Sequence, residues 1–97
     1  LDNTLLLFGS ASSAFHLSRN YPIVLAGGNN MGFQHGQYIN HAGMNFQGGP
    51  WMGKREPWQD KAKGEDQPLS NLYATMLNRL GMPTESFADS TSMIDDV

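Results

Sequence analysis

The fold class is indicated most clearly by the stretch Asn3-Thr-Leu-Leu-Leu-Phe-Gly-Ser10. Its apolar residues are continuous and do not alternate with polar ones, which is typical of a strand buried on both faces, as in a parallel sheet flanked by helices. Tyr21-Pro-Ile-Val-Leu-Ala-Gly-Gly28 repeats the pattern, and Pro22 suits the first residue of a strand because a missing N–H costs least there. The two stretches predict a pair of buried strands in an α/β protein.

One amphipathic helix is predicted from about Asn71 to Leu80. Its apolar residues fall at i, i+1, i+4, i+5 and i+8 and form one stripe: Leu72, Tyr73, Met76, Leu77 and Leu80. Ser70 or Asn71 can cap the start of the helix, and Gly81 followed by Pro83 is a stop signal. We expect the aliphatic members of this stripe to be buried against the sheet or a neighbouring helix.

The remaining segments predict little regular structure. Glycine and proline interrupt residues 29–67 throughout, which predicts a long loop excursion with room for a short edge strand from Gln37 to Asn40. Residues 84–97 are expected to be a tail laid against other structure. Buried parallel strands need helices on both faces, and one helix cannot supply them. Residues 1–97 are therefore expected to be the C-terminal portion of a single larger α/β domain.

Composition excludes several classes of function. The formal net charge is −3 and no basic stripe is present, so a nucleic-acid partner is not expected. The chain contains no cysteine, which excludes disulfides and thiolate metal sites. The longest apolar runs, Leu5 to Phe8 and Ile23 to Ala26, are too short to span a membrane.

Among the three histidines, His16 is the candidate metal ligand. It lies between the two predicted strands, in a loop at the edge where α/β sheets bind ligands. His35 and His41 are six residues apart and match neither the helical nor the strand spacing that places two ligands side by side. We expect hydrogen-bonding or surface roles for these two, and the same role stays open for His16. No catalytic residue can be assigned.

Two further patterns favour turns over chemistry. Gly27-Gly-Asn-Asn-Met-Gly32 follows a strand but lacks the G-x-G-x-x-G order of a phosphate cradle. Ser10, Ser12 and Ser13 are not part of a G-x-S-x-G nucleophile elbow. Both stretches are expected to form turns.

The order of these elements resembles the C-terminal part of the alkaline phosphatase–sulfatase superfamily, through Asn3 to Ser10, then His16, then Tyr21 to Gly28. Pro68-Leu-Ser-Asn-Leu-Tyr-Ala-Thr-Met-Leu-Asn-Arg-Leu-Gly-Met-Pro83 and Glu85-Ser-Phe-Ala-Asp-Ser-Thr91 are similar to the C-termini of uncharacterised exported bacterial proteins, domain-of-unknown-function families that include the HxxSHH-motif group. The resemblance implies a C-terminal fragment of an alkaline phosphatase-like sheet flanked by helices, with long glycine-rich loops, and a periplasmic or extracellular location.

The same resemblance implies metal-dependent hydrolysis of phosphate or sulfate esters in the complete protein, with a divalent metal as the cofactor to expect and His16 as a ligand. The chain departs from the family pattern at Phe8-Gly9-Ser10, where active members carry an Asp-His pair. The alternative is a non-catalytic exported binding or structural module with a degenerate metal site. In either case the expected partners are the N-terminal part of the same protein or other subunits of an assembly.

Overall fold

The fold is seen in a computed structural model, which describes residues 1–12, 16, 21–43, 62–64 and 67–97. The chain divides into two compact units. The first combines Leu1–Gln37 with Pro68–Val97, and the second is Tyr38–Gln67. Among the described residues, no helix is both long and apolar enough to cross a membrane.

The two predicted strands are present, but they form an antiparallel pair. Strand β1 spans Leu5–Gly9 and strand β2 spans Ile23–Gly27, with Leu5 opposite Gly27 and Gly9 opposite Ile23. The parallel arrangement expected from their apolar character is therefore wrong. A parallel pair needs a crossover connection, usually a helix, and the sequence of residues 10–22 has no helical pattern. Strands and a helix do coexist, so α/β holds in a broad sense.

Both faces of this hairpin are apolar. The register places Leu6 and Phe8 beside Ala26 and Val24, and we call these four side chains the outer face. Leu6 is 49% exposed, Val24 60% and Phe8 78%. The opposite face carries Leu5, Leu7, Ile23 and Leu25, which are less exposed than their outer-face neighbours. The continuous apolar pattern thus predicted two apolar faces correctly. Among the described residues, however, nothing covers the outer face.

Two glycines at the end of β2 allow the N-terminal turn to pack closely on the hairpin. The N–H of Gly28 lies 2.8 Å from the carbonyl oxygens of both Leu1 and Thr4. Gly27 has a φ of +80°, and a Cβ there would lie 2.2 Å from the Thr4 carbonyl oxygen. A side chain at this position would meet rigid backbone, so glycine is required for both conformation and space.

Helix α1 spans Leu69–Arg79 and begins earlier than predicted. Pro68 precedes its first residue, and no side chain caps the start. Ser70 and Asn71, the predicted caps, lie inside the helix and are buried. Proline supplies a fixed φ and lacks an N–H, which suits the first turn, so the helix extends back to it.

The end of α1 follows the prediction. Gly81 adopts the left-handed conformation with a φ of +84°. Its N–H donates to the Asn78 carbonyl at 3.1 Å, and the N–H of Met82 donates to the Leu77 carbonyl at 2.9 Å. These two bonds form a Schellman motif, which satisfies the last carbonyls of the helix.

The buried face of α1 is not the predicted one. Its buried residues are mostly small or polar: Ser70, Asn71, Leu72, Ala74 and Thr75. Of the predicted apolar stripe only Leu72 is buried, whereas Met76 and Leu77 are half-buried and Leu80 is 46% exposed. The expectation that the aliphatic stripe forms the core was therefore wrong for most of its members, because the tail packs on the opposite side of the helix.

Residues 84–97, the tail, run along a polar stripe of α1. The stripe binds main-chain atoms of the tail through four side chains: Asn71, Thr75, Asn78 and Arg79. Ile94 is 8% exposed and supplies apolar contact between these polar bonds. The tail contains no helix or strand in the described residues, and its order comes from side chains of the helix.

The second unit contains two short strands. β3 spans Asn40–Gly43 and β4 spans Ala62–Gly64, and they pair in parallel with an irregular register. The edge strand predicted from Gln37 to Asn40 begins three residues later than expected. A turn of 3-10 helix at Asn29–Met31 belongs to the first unit, so the predicted excursion over residues 29–67 includes short elements of both units.

Candidate functional site

A cleft of about 370 Å³ opens between the inner side of the hairpin and the start of α1. Its lining combines hairpin residues, residues after β1 and two side chains of the helix: Leu7, Gly9, Ser10, Ala11, Tyr21, Ile23, Leu69 and Tyr73. The volume lies near the lower end of the range for ligand pockets in proteins.

The chemistry of the cleft is mainly that of apolar contact. Leu7, Ile23 and Leu69 supply aliphatic walls, and Tyr21 and Tyr73 add two phenol groups. Its described lining contains no carboxylate, imidazole or basic side chain. Such a cleft can bind apolar groups and form hydrogen bonds, but these lining residues offer no group suited to acid–base catalysis near neutral pH.

Of the two candidate serines in the described residues, Ser10 lines this cleft and Ser12 does not. Its Oγ accepts the backbone N–H of Ser12 at 3.2 Å, a local turn bond. Ser13 lies outside the described residues. The interpretation of Ser10 and Ser12 as turn residues agrees with this geometry.

His16, the predicted metal ligand, is exposed and adopts a φ of +59°. This left-handed conformation is uncommon for a residue other than glycine, although histidine is among the residues enriched there. Most of its sequence neighbours lie outside the described residues, so the direction of its imidazole stays a prediction. The described part of the chain contains no group of three or more histidine, aspartate or glutamate side chains able to hold a metal ion.

The other two histidines lie in different units. In the first unit, His35 Nε2 donates a hydrogen bond to the Gly27 carbonyl, and its ring stacks on Phe33 with centroids 6.4 Å apart. The Arg79 guanidinium lies 4.7 Å from the centre of the same Phe33 ring. His41 lies on β3 in the second unit and is half-buried. The contacts of His35 agree with the hydrogen-bonding role expected for it.

The glycine-rich turn after β2 does not form a phosphate cradle. The N–H of Asn30 donates to the Asp2 carbonyl at 3.0 Å, and the N–H of Met31 donates to the Gly28 carbonyl at 2.9 Å. The side chain of Asn29 also bonds the Asp2 carboxylate at 2.9 Å. Since the amide of Gly28 is engaged as well, these three amides already have partners within the chain, and the turn interpretation is supported.

The polar stripe of α1 was missed when the helix was interpreted from its apolar residues alone. Asn71, Thr75 and Asn78 recur at i, i+4 and i+7, which places them on one face of a helix. Ser70, beside this stripe, donates to the Asp89 carboxylate at 2.7 Å. The periodic amides and hydroxyls were a usable signal, because such residues in a helix interior are disfavoured unless they have partners.

Comparison with protein-family models, with curated proteins and with solved structures finds no match to this chain. The function of this chain is therefore inferred from its own residues: the outer face, the cleft and His16.

Proposed function

We propose that this chain is the C-terminal segment of a larger, exported phosphatase- or sulfatase-like protein and acts there as a structural and binding module. In this proposal the outer face is covered by another part of the same protein or by another subunit, in the periplasm or outside the cell. The supporting observation is the exposure of Leu6, Phe8 and Val24, side by side on one sheet. Neither the cleft nor the turns supply catalytic groups among the described residues.

The free energy available at this face favours a covering layer. Fully burying a valine, leucine or phenylalanine side chain contributes about 1.5–3 kcal/mol, and each of these three has about half or more of its surface exposed. An isolated two-stranded hairpin is marginal in water, whereas one packed on both faces is not. The half-exposed side of α1, with Met76, Leu77 and Leu80, offers a second apolar surface to the same cover.

Replacing Phe8 by aspartate in the intact protein tests this proposal. The charge would be placed in a covered apolar layer, so we expect a loss of at least about 2 kcal/mol in the free energy of unfolding, or release of the covering subunit. Gln34→Asp adds the same charge at an exposed position of the same unit and is expected to change stability by less than about 0.5 kcal/mol. Equal, small effects of both substitutions would show that the outer face stays in water.

A second candidate function is metal-dependent hydrolysis of a phosphate or sulfate ester by the complete protein. The observation that favours it is the exposed, left-handed His16 in the connection after β1, because unusual backbone conformations cluster at functional sites. A divalent metal bound there would polarise the ester and activate a nucleophile. Since the described residues hold no three-ligand group, most of the ligands would come from elsewhere in the protein.

Metal content separates this candidate from the first. His16→Ala in the intact protein should lower bound metal or ester hydrolysis by at least about tenfold if His16 is a ligand. His35→Gln is the control, since glutamine can still donate to the Gly27 carbonyl and His35 has no assigned metal role. Unchanged metal and activity in His16→Ala would leave His16 a loop residue and the structural role as the proposal that stands.

A further inference from the structure

Among the described residues, one edge of the hairpin has main-chain groups without hydrogen-bond partners. The N–H of Gly28 bonds the Thr4 carbonyl at 2.8 Å, and the N–H of Ser10 bonds the Pro22 carbonyl at 3.2 Å. In an antiparallel pair, hydrogen-bonded positions alternate along each strand. The even-numbered residues of β1 therefore bond to β2, and Leu5, Leu7 and Gly9 direct their N–H and C=O groups away from it.

The free edges of the two strands differ in how they are protected. On β2, Pro22 precedes the strand and His35 covers the outward carbonyl of Gly27. On β1, the sequence Leu5-Leu-Leu-Phe-Gly9 has no charge, no proline and no bulge in its register. Within the described residues, no hydrogen bond to the outward groups of β1 is present. Natural proteins protect exposed edges by charge, proline or a bulge, so a bare apolar edge indicates an interface.

We propose that this edge of β1 pairs with an additional β-strand of the same protein from outside these 97 residues. This inference rests on the proposed structural role and specifies what contacts β1. Of the protein elements that could cover the edge, an extended main chain can pair in sequence with the outward N–H and C=O groups at Leu5, Leu7 and Gly9, whereas a helix or an apolar loop cannot. The added strand is apolar on both sides, because both faces of β1 are.

A second copy of this chain fits the observations less well. Pairing β1 with another β1 in antiparallel fashion would place two outer faces side by side on the same side of one sheet. The exposed apolar surface of Leu6, Phe8 and Val24 would then be doubled and not covered. A strand from the same protein brings its own flanking layer, which also covers the outer face.

Amide hydrogen exchange in the intact protein tests the pairing without any substitution. Leu6 and Phe8 act as internal controls, because their N–H groups bond to β2 whatever lies at the edge. We expect the Leu7 amide to exchange at least about tenfold more slowly than an unprotected amide, as in a paired strand. Exchange of Leu7 at the unprotected rate, with Leu6 and Phe8 slow, would overturn the inference.

Two further results distinguish the alternatives. A fast Leu7 amide together with a strongly destabilising Phe8→Asp would refute the added strand while keeping the covered outer face. Protection of Leu7 that appears only as protein concentration rises, together with dimer formation in sedimentation, would assign the edge to a second copy and also overturn the inference. Slow exchange of Leu7 in a monomer at every concentration supports it.

Discussion

Asn71 holds Thr91 at two points. The Asn71 side-chain oxygen accepts the backbone N–H of Thr91 at 2.8 Å, and its side-chain nitrogen lies 3.3 Å from the Thr91 hydroxyl. Asn71 is fully buried, although asparagine is mostly found on protein surfaces. The pair joins the first turn of α1 to the tail across 20 residues of sequence, and it explains why a polar residue occupies the centre of the first unit.

Asn71→Ala should lower the free energy of unfolding of the intact protein by about 1–3 kcal/mol, because it truncates a fully buried side chain and leaves the Thr91 N–H without its part-buried acceptor. Thr91→Ala is the matched control, since it keeps that main-chain bond and removes only the hydroxyl, and we expect less than about 0.5 kcal/mol. Urea denaturation measures both. A Thr91→Ala effect as large as that of Asn71→Ala would contradict the main-chain bond as the important one.

Gly27→Ala should be more destabilising than Gly36→Ala. Both glycines have left-handed backbones, with φ values of +80° and +78°. A Cβ at Gly36 meets nothing within 4 Å, whereas one at Gly27 lies 2.2 Å from the Thr4 carbonyl oxygen. Gly36→Ala therefore reports backbone strain alone, about 1–2 kcal/mol, and Gly27→Ala adds a clash with main chain. Equal shifts in thermal unfolding would show that the N-terminal turn does not contact Gly27.

Arg79 and Phe33 should be coupled energetically. The guanidinium lies 4.7 Å from the ring centre, and Arg79 also bonds the carbonyl oxygens of Gly32 and Val97. In a double-mutant cycle with Arg79→Gln and Phe33→Leu, the free energy of the carbonyl bonds cancels, because Arg79→Gln removes them in both backgrounds. The cycle should give a coupling free energy of about 0.5–1 kcal/mol. The same cycle between Arg79 and Phe87, which instead contacts Tyr73, should be additive. Coupling near zero in the first cycle would remove the cation–π contact.

These 97 residues expressed alone should show no cooperative thermal transition. The outer face would stay in water, and the few buried apolar side chains of the described residues, Phe33, Leu72, Ala74 and Ile94, make a small core. Calorimetry and amide exchange of the isolated chain, with the intact protein as the control, measure this. A sharp two-state transition of the isolated chain would contradict the proposed dependence on a covering layer.

Strands β1 and β2, the helix and its glycine stop were predictable because each follows from a local pattern, whereas the short strand β4 has no such pattern and was not predicted. Apolar runs indicate strands, and Gly81 followed by Pro83 leaves few alternatives to a helix end. The direction of strand pairing was not predictable in this way, because continuous apolarity reports burial on two faces and carries no information about parallel or antiparallel register. The interpretation of β1 and β2 as strands of a parallel sheet was wrong for this reason.

The buried side of α1 was misjudged because apolar periodicity was taken as the sole sign of burial. The stripe through Leu77 and Leu80 has the regular spacing of a core, yet Asn71, Ala74 and Thr75 are the more buried residues. Asn71 and Thr75 are hydrogen-bonded to residues about 20 positions later, which a local pattern does not contain. His16 was selected by its place after a strand, and neither its orientation nor a ligand set is fixed by that place.

The helix recognises the tail through main-chain atoms, and this has a consequence for tolerance to mutation. Thr75 Oγ accepts the N–H of Ile94 at 2.8 Å, and Asn78 contacts both the N–H and the carbonyl of Thr84. Every residue type except proline carries these groups, so most exposed tail positions can change without loss of docking. The four helix positions have no such freedom. Substitutions that detach the tail from α1 should therefore be found mainly at these helix positions, whereas the sequence of the tail itself should be free to vary.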